Sequence, residues 1–375
     1  MVTTPSALRK AASLNHVLSQ APLAPSEALR PRDRAVSAYA DLSRQVQGAG
    51  LLGRRRSFYF RRIAVGLVSF AGIWTGVVLL GNSWWTLLLA GAFGIAVTQF
   101  AFLGHDGAHR QIFSSFRWNE WSGRVFAGLF AGLSYTWWMS KHTKHHGAPN
   151  QEGKDTDIDS AVMALTPAAG LRRHGLGAWL ARGQGWYFLP LLLLEGLNLH
   201  FDSFLNLLRP GTAKHRRIDL LFVTVRLGAY LTGLFLLLPP GKAAAFFGVQ
   251  MAALGLFMGG AFAPNHTGMP IVAKTAKFDF LRRQVLMSRN ISGGWLIDVF
   301  MGGLNYQIEH HLFPSMPRPN LALAQPLVRD FCAQQGIEYT ETTLVGSYKV
   351  IISYLNKVGL KAPDPFTCPL VAARN

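Results

Sequence analysis

Four long apolar stretches constrain the fold of this chain more than any other feature of its sequence. Each is close to the roughly 20 residues that a helix needs to cross a bilayer. They cover residues 63–81, 84–103, 220–238 and 243–262. Very short connections join them in two pairs, which is the pattern of helical hairpins whose backbones satisfy their own hydrogen bonds in lipid. The sequence therefore predicts an all-α integral membrane protein with four transmembrane helices in two hairpins.

Two other stretches, 121–138 and 186–208, are apolar but interrupted by polar residues. The second contains Glu195, His200 and Asp202, a heavy polar load for a helix that faces lipid. We expect both stretches to lie in the membrane interface or in the cytoplasm rather than to cross. Together with the other segments outside the four helices they form a cytoplasmic helical cap.

The charge distribution predicts which side of the membrane each segment occupies. The net charge is +18, and many basic residues flank the apolar stretches, as in RRRSFYFRR before Ile63. This placement favours an anionic membrane surface as partner and disfavours nucleic acid. Positive residues mark the cytoplasmic side, so the N-terminus is predicted to lie inside, and two hairpins return the C-terminus there as well. The two cysteines, Cys332 and Cys368, are far apart and fit a reducing compartment.

Three regions follow from these patterns. Residues 1–57 are rich in Ala, Ser, Pro and Arg and are predicted to form a mobile basic tail. Residues 58–345 form the membrane domain with its cytoplasmic cap. Residues 346–375 form a C-terminal helix and tail.

Eight of the twelve histidines fall in four short motifs, HDGAH, HTKHH, NHTG and QIEHH. The residues concerned are His105, His109, His142, His145, His146, His266, His310 and His311. On a helix, the spacings i, i+3 and i+4 place such imidazoles on one face. Neutral imidazole is the commonest protein ligand of transition metals, so the repeated pattern predicts a site for more than one metal ion. The remaining four histidines, His16, His174, His200 and His215, are interpreted as ordinary residues.

Each motif also has a structural interpretation. A single HxxxH pair is structural about as often as it binds metal, and His266 alone would be structural more often than not. Three rings on one face in HTKHH are harder to explain without a metal. The apolar pattern adds independent support, because HDGAH follows the second predicted span and NHTG follows the fourth. All four motifs share the cytoplasmic side if 121–138 and 186–208 do not cross.

Gln307 occupies, in QIEHH, the helical position that His142 occupies in HTKHH. Its amide could ligate weakly, orient a bound water or leave a coordination position open. Asp106 and Asn265 are further candidates for contact with the bound cofactor. Other polar residues near the motifs are candidates for hydrogen bonds to the ligands, with solvated or capping roles as the alternative: Asn150, Asp155, Asp157, Asp298 and Glu309.

HDGAH, HTKHH and QIEHH resemble the three histidine boxes of the membrane fatty acid desaturase family. The resemblance runs from about Phe58 to about Thr343 and includes NHTGMP and EHHLFPSMP. It implies that the eight histidines hold two non-haem irons at the cytoplasmic face. This centre would use O2 to remove two hydrogens from a fatty acyl chain, giving a cis double bond and water.

The resemblance also implies the partners. The substrate would be an acyl-CoA or an acyl-lipid taken from the membrane, and a glutamine at the start of the third box resembles front-end or bacterial acyl-CoA and acyl-lipid desaturases. Some front-end relatives carry a fused cytochrome b5 with a His-Pro-Gly-Gly motif, which these 375 residues lack. We therefore expect electrons from a separate carrier, such as a ferredoxin or cytochrome b5 with its reductase.

Three alternatives stay open at this point. The same metal scaffold could catalyse hydroxylation, acetylenation or ketolation. A membrane receptor or transporter with structural zinc would carry more polar groups in its spans, where Arg226 is the notable exception. A scaffold without catalysis is disfavoured because all eight histidines are present.

Overall fold

The structure is a computed structural model that describes residues 31–209 and 215–361. The N-terminal part forms α1 (Pro31–Gly48), α2 (Arg56–Leu80), α3 (Thr86–Ala108), α4 (Phe116–Arg124), a π-helix (Val125–Ala131) and α5 (Tyr135–Gly147). The middle part forms α6 (Pro167–Leu171), α7 (Gly175–Ala181), α8 (Gln184–Leu208), α9 (Arg216–Leu237) and α10 (Pro240–His266). The C-terminal part forms α11 (Phe280–Leu286), β1 (Asn290–Ser292), α12 (Trp295–Phe300), α13 (Gln307–Leu312), α14 (Arg318–Gln334), β2 (Glu341–Thr343) and α15 (Leu344–Gly359). The described chain is thus mainly helical, as predicted, with one short parallel pair of strands, β1 and β2.

Five helices are long and apolar enough to cross a membrane: α2, α3, α8, α9 and α10. Four of them contain the four predicted stretches. The fifth, α8, contains 186–208, for which the sequence predicts no crossing. Its leucines and aromatic residues outweigh Glu195, Asn198 and Asp202 in average hydropathy. By length and composition alone, the structure therefore offers one candidate span more than the sequence analysis predicts.

Helix α10 packs between α3 and α8 and forms the centre of the helical bundle. Its contact with α8 is close enough that only glycine fits at the crossing. A Cβ atom at Gly196 would lie 2.2 Å from the carbonyl oxygen of Met251, and one at Gly255 would lie 2.3 Å from that of Leu192. Small residues let helices approach closely where no hydrophobic drive acts between them in lipid. This packing brings the C-terminal ends of α3 and α10 to the same end of the bundle.

The stretch 121–138 does not form one continuous helix. The π-helix follows α4, and the chain then reverses at Gly132, whose φ of 76° favours glycine. The last carbonyls of the π-helix lack N–H donors, because no further helical turn follows them. Arg226 of α9 donates from Nε to the Phe130 carbonyl over 3.0 Å, and Nε2 of His200 in α8 lies 3.2 Å from the Ala131 carbonyl. Arg226 and His200, two polar residues within apolar helices, therefore lie against the backbone of this turn.

The region predicted as a mobile tail differs from that expectation where the structure describes it. Residues 31–48 form α1, and Leu42 and Val46 are fully buried in it. These two residues lie one helical turn apart, so both face the same way and pack against α11, α13 and α14. Residues 1–30 lie outside the described part of the chain, and the predicted domain limits remain a prediction.

The predicted C-terminal helix corresponds to α15. Its buried face contains Ile351, Tyr354 and Leu355 and packs against α8. Gln184 at the start of α8 donates to the Leu355 carbonyl over 2.8 Å. The rest of the predicted tail, residues 362–375, lies outside the described residues.

Candidate metal centre

The structure brings all eight predicted histidines together at one end of the bundle. His105 and His109 lie at the C-terminal end of α3, and His266 ends α10. Helix α5 carries three more, and α13 carries the last two. Every one of these side chains is buried or half-buried.

The first group contains four imidazoles, two from the C-terminal end of α3 and one each from α5 and α13. One ring nitrogen from each lies within 4.8 Å of the others, in His105, His109, His142 and His310. Nε2 of His109 lies only 2.7 Å from Nε2 of His142. Nε2 of His105 and both ring nitrogens of His310 are buried and have no hydrogen-bond partner among the described residues. Buried polar atoms without partners are costly, so these nitrogens indicate a ligand that the protein is built to hold.

The second group contains His145, His266 and His311, with ring nitrogens again within 4.8 Å. Their outer nitrogens already have acceptors. Nδ1 of His145 is 2.9 Å from a carboxylate oxygen of Asp155, Nδ1 of His266 donates to the Met287 carbonyl, and Nδ1 of His311 donates to Gln284 Oε1. These partners fix the tautomers, so each Nε2 carries a lone pair.

Lone pairs in this second group point at each other. Nε2 of His145 lies 3.2 Å from Nε2 of His266, and neither atom has a proton to share when both outer nitrogens donate. A cation between the rings would satisfy both. The donor set consists of imidazole nitrogens without thiolate, which suits iron, zinc and other first-row metals. The residues present therefore fit a bound transition metal.

His146 lies between the two groups. Its ring stacks on His311 with centroids 4.2 Å apart, and it lies 4.4 Å from the ring of His142. Its Nε2 is buried without a partner among the described residues. The two groups are thus parts of one continuous histidine cluster.

Burial keeps most of this cluster neutral. It lowers the pKa of five imidazoles, because the charged form loses its hydration and is repelled by neighbouring rings: His109, His142, His146, His310 and His311. Burial also lowers the pKa of His145, but Asp155 and Asp157 together raise it by more, so that pKa lies above its ordinary value. Neutral imidazole is the form that binds metal, and a carboxylate partner makes it a stronger donor.

The residue Gln307 lies inside the second group, as its position in QIEHH predicts. Its Nε2 is 2.9 Å from Nε2 of His266, and Asn265 donates to its Oε1 over 3.3 Å. Asp106 lies further out. It pairs with Arg318, and its other carboxylate oxygen is 3.6 Å from Nδ1 of His105.

Other predicted polar residues divide into two sets. Asp155 and Asn150 join the cluster, because Asn150 donates its backbone N–H to Asp155 over 2.8 Å and its amide to the His266 carbonyl over 3.1 Å. Asp157 lies 3.7 Å from Nδ1 of His145. Glu309 accepts from Asn290 and Tyr339, and Asp298 accepts from Asn305.

Glu309 is a buried carboxylate of α13 whose hydrogen bonds go to other parts of the fold. It accepts hydrogen bonds from Asn290 Nδ2 and from the Tyr339 hydroxyl, each over 2.7 Å. Burial raises the pKa of this carboxyl to about 7. This contact attaches the helix that carries His310 to β1 and to the loop before β2.

Gln284 is the contact that sequence reasoning missed. It is fully buried in α11, accepts from His311 and donates from Nε2 to the His146 carbonyl over 2.9 Å. It therefore joins the second histidine motif to the third. No spacing relates a glutamine in α11 to either motif, so only the fold reveals it.

Long apolar helices that end at a buried cluster of eight imidazoles define a class, the membrane proteins with a histidine-rich metal centre. The sequence profile described as fatty acid desaturase matches residues 82–343. The chain belongs to the fatty acid desaturase family. It is therefore an oxidoreductase that acts on fatty acyl chains with a metal cofactor, as the resemblance of its motifs implies.

Individual relatives carry desaturase names as well. The chain is 30% identical over 315 residues to the Delta(5) fatty acid desaturase fat-4 of Caenorhabditis elegans, covering 80% of this chain and 69% of that protein. It is 26% identical to the fatty acid desaturase 2-like protein FADS2B of Mus musculus, covering 90% and 69%. It is 25% identical to a Delta(8)-fatty-acid desaturase of Borago officinalis, covering 88% and 77%.

Proposed function

We propose that this desaturase inserts a cis double bond into a long acyl chain at a di-iron centre held by the eight clustered histidines. The observation that carries the proposal is the convergence of two groups of closely spaced imidazoles, with His146 between them. Gln307 and Asn265 would contact the cofactor in the second group, and Asp106 would act through His105. The balanced reaction takes O2, two electrons and two protons with the two acyl hydrogens and releases two waters.

The chain's own residues would orient and shield this chemistry. Iron with O2 would supply the oxidising power that breaking an unactivated C–H bond requires. Outer partners such as Asp155 and Gln284 hold the imidazole rings in their orientation. The indole of Trp138 stacks on the His142 ring with centroids 4.2 Å apart, so an apolar surface covers one side of the centre. Such a surface excludes water from the reacting groups.

The electron donor in this proposal is a separate acidic carrier, such as a ferredoxin or cytochrome b5 with its reductase. Exposed basic residues lie directly beside the histidines, with Arg110 following His109 and Lys144 preceding His145. Charge complementarity of this kind speeds association and weakens with salt. Electron transfer that is insensitive to ionic strength would contradict this part of the proposal.

We also propose that the chain crosses the membrane four times, with both termini and the active site in the cytoplasm. His145 and His266 are 3.2 Å apart and so lie on the same side, which requires an even number of crossings between them. Three candidate spans, α8, α9 and α10, lie in that interval. The polar residues of α8 favour this helix as the one that does not cross.

Expression in a host with a known fatty acid profile tests the reaction. We expect new unsaturated acyl chains with the wild-type protein and none with H145A or H310A. H174A is the matched control, because His174 lies outside the cluster. Hydroxylated products would instead indicate a hydroxylase on the same scaffold. Purified protein that contains zinc without iron and consumes no O2 would overturn the di-iron proposal.

A further inference from the structure

A buried ion pair outside the histidine cluster has no part in the chemistry described so far. Arg124 ends α4, and Asp219 lies in the first turn of α9. Their side chains are 5% and 1% exposed, and Nη1 of Arg124 lies 2.5 Å from Oδ1 of Asp219. Two charges removed from water stabilise a fold little unless further hydrogen bonds satisfy them. The remaining partners of this pair therefore indicate what it does.

The second carboxylate oxygen of Asp219 binds the start of α5. It accepts from the backbone N–H of Thr136 over 2.7 Å and from the Ser134 hydroxyl over 3.2 Å. Ser134 is itself the N-cap of α5 and accepts from the Trp137 N–H over 3.2 Å. A negative charge at this end also complements the helix dipole. A side chain of α9 thus caps the helix that carries three of the eight histidines.

Arg124 holds the carboxylate in that orientation. It donates to the Thr136 hydroxyl over 3.2 Å and to Glu120 over 3.1 Å. Its guanidinium lies 4.8 Å from the centre of the Tyr135 ring. The ion pair therefore contacts both sides of the first turn of α5.

Helix α5 is held at its other end by different residues. Gln284 donates to the His146 carbonyl, and Arg283 donates to the Gly147 carbonyl over 2.9 Å. His142 lies six residues beyond Thr136, about 9 Å along a helix that rises 1.5 Å per residue. Because α5 is one short helix, a displacement of its first turn would move all three imidazoles with it.

We propose that Asp219 and Arg124 are positioning residues for the metal centre. They set the axial position and direction of α5 and so place His142, His145 and His146 against the histidines of α3, α10 and α13. Metal–nitrogen distances tolerate deviations of only about 0.2 Å, so a small displacement of α5 weakens the site. This inference rests on the metal centre proposed above.

Metal binding by the purified protein tests the inference without reference to turnover. The variant is D219N, which keeps the shape of the side chain but removes its charge and one acceptor. The matched control is D202N, since Asp202 is an exposed aspartate of α8. Metal-free samples are titrated with Fe²⁺, and separately with Co²⁺ to record the visible absorption of the centre. The unfolding temperature of each sample is measured alongside.

We expect D219N to bind both ions about 10- to 100-fold more weakly than D202N, the range typical of residues that orient ligands. We also expect its Co²⁺ spectrum to change. S134A removes only one contact of Asp219 and the cap of α5, so it should show a smaller change in the same direction. S134A decides the question if D219N does not fold. Wild-type affinity and spectrum in both variants, even with a lowered unfolding temperature, would show a purely structural role and overturn the inference.

The same titrations distinguish an error in the di-iron proposal from an error in the role given to Asp219. A wild-type protein that binds neither ion overturns the di-iron proposal and this inference together. A wild type that binds two ions, with D219N binding them equally well, overturns this inference alone.

Discussion

Hydrogen bonds at the outer nitrogens of three imidazoles determine which nitrogen faces the metal centre. Asp155, the Met287 carbonyl and Gln284 each accept from Nδ1 of one histidine. The inner nitrogens are consequently all acceptors, although they crowd together. The partners thus act on metal binding without touching the metal.

Gln284 should be the most sensitive of these partners to mutation. The variant Q284A leaves the His311 Nδ1–H and the His146 carbonyl without their partner, because the amide serves both. We expect metal affinity to fall about 10- to 100-fold. Q284E keeps the acceptor for His311 but loses the donor, so it should be intermediate. Titration with Fe²⁺ measures the effect, with Q335A at an exposed glutamine as control.

Gln307 should influence activity more than metal binding. Its amide contacts Nε2 of His266 from a position that His142 occupies in the other box. We expect Q307H to retain the proposed iron, because it adds a donor of the same kind, but to change the rate or the product profile. Iron content and fatty acid profile are the measurements, with Q335H as control. A variant unchanged in both would show that Gln307 takes no part in the site.

Acid should destabilise the metal-free protein through the histidine cluster. Five imidazoles have a pKa below the ordinary value of about 6.5, so the unfolded chain binds more protons than the folded chain as pH falls below that value. Stability is fully present above about pH 6.5 and is lost below it, by up to about 1.4 kcal/mol per pH unit for each such histidine. His145, with a raised pKa, offsets part of this loss.

Thermal unfolding of chelator-treated protein at several pH values between about 7.5 and 5.5 measures this dependence. H310Q should make the decline shallower, because it removes one of the five groups. H174Q should leave it unchanged. If the unfolding temperature fell equally with pH in H310Q and wild type, His310 would not contribute to the acid sensitivity.

Among the helices, α9 stabilises the reversal at Gly132, because Arg226 donates to a carbonyl that lipid cannot satisfy. R226M removes the donor to the Phe130 carbonyl and leaves a buried acceptor unpaired. We expect a loss of about 1–3 kcal/mol of stability. The unfolding temperature of R226M is compared with that of R117M, since Arg117 is exposed. Equal temperatures would show that the contact contributes nothing.

The histidine spacing predicted that the imidazoles of each motif share one helix face, because spacing is a local property of helices. Motifs such as HTKHH contain their geometry within five residues, so the grouping of all eight imidazoles follows from sequence and topology. Gln284 and Asp219 could not be predicted, because each meets the site from a helix distant in sequence. The contacts of His200 and Arg226 with the π-helix could not be predicted either, because no sequence pattern links these two polar residues to it.

The helical class and the four predicted spans follow from hydropathy, but α8 does not. Its composition allows crossing, while the even number of crossings between His145 and His266 requires that one of α8, α9 and α10 does not cross. A mean hydropathy averages over all residues of a helix, so it does not depend on where the polar residues lie along it. The burial of Leu42 and Val46 in α1 could not be predicted either. The residues that cover them lie in α11, α13 and α14, far away in the sequence.

Over the whole molecule, accessibility of single cysteines tests the arrangement in the membrane. In a background with Cys332 and Cys368 replaced, R182C and R209C mark the two ends of α8, and S83C marks the tip of the first hairpin. We expect an impermeant thiol reagent applied outside intact cells to label S83C alone. R182C and R209C should react only after permeabilisation, because the proposed arrangement places both ends of α8 in the cytoplasm. Outside labelling of just one end would show that α8 crosses.

The crowded lone pairs of the second histidine group have a consequence for the life of the polypeptide in a cell. Until a cation arrives, Nε2 of His145 and Nε2 of His266 repel each other in a site whose outer hydrogen bonds already hold the rings in place. Newly made chains that lack metal are therefore less stable than loaded ones and are the better substrates for quality-control proteases. Metal supply would then set how many copies of the enzyme survive as well as how many can work. If the metal is the proposed iron, starving cells of iron should shorten the half-life of the protein before it changes synthesis.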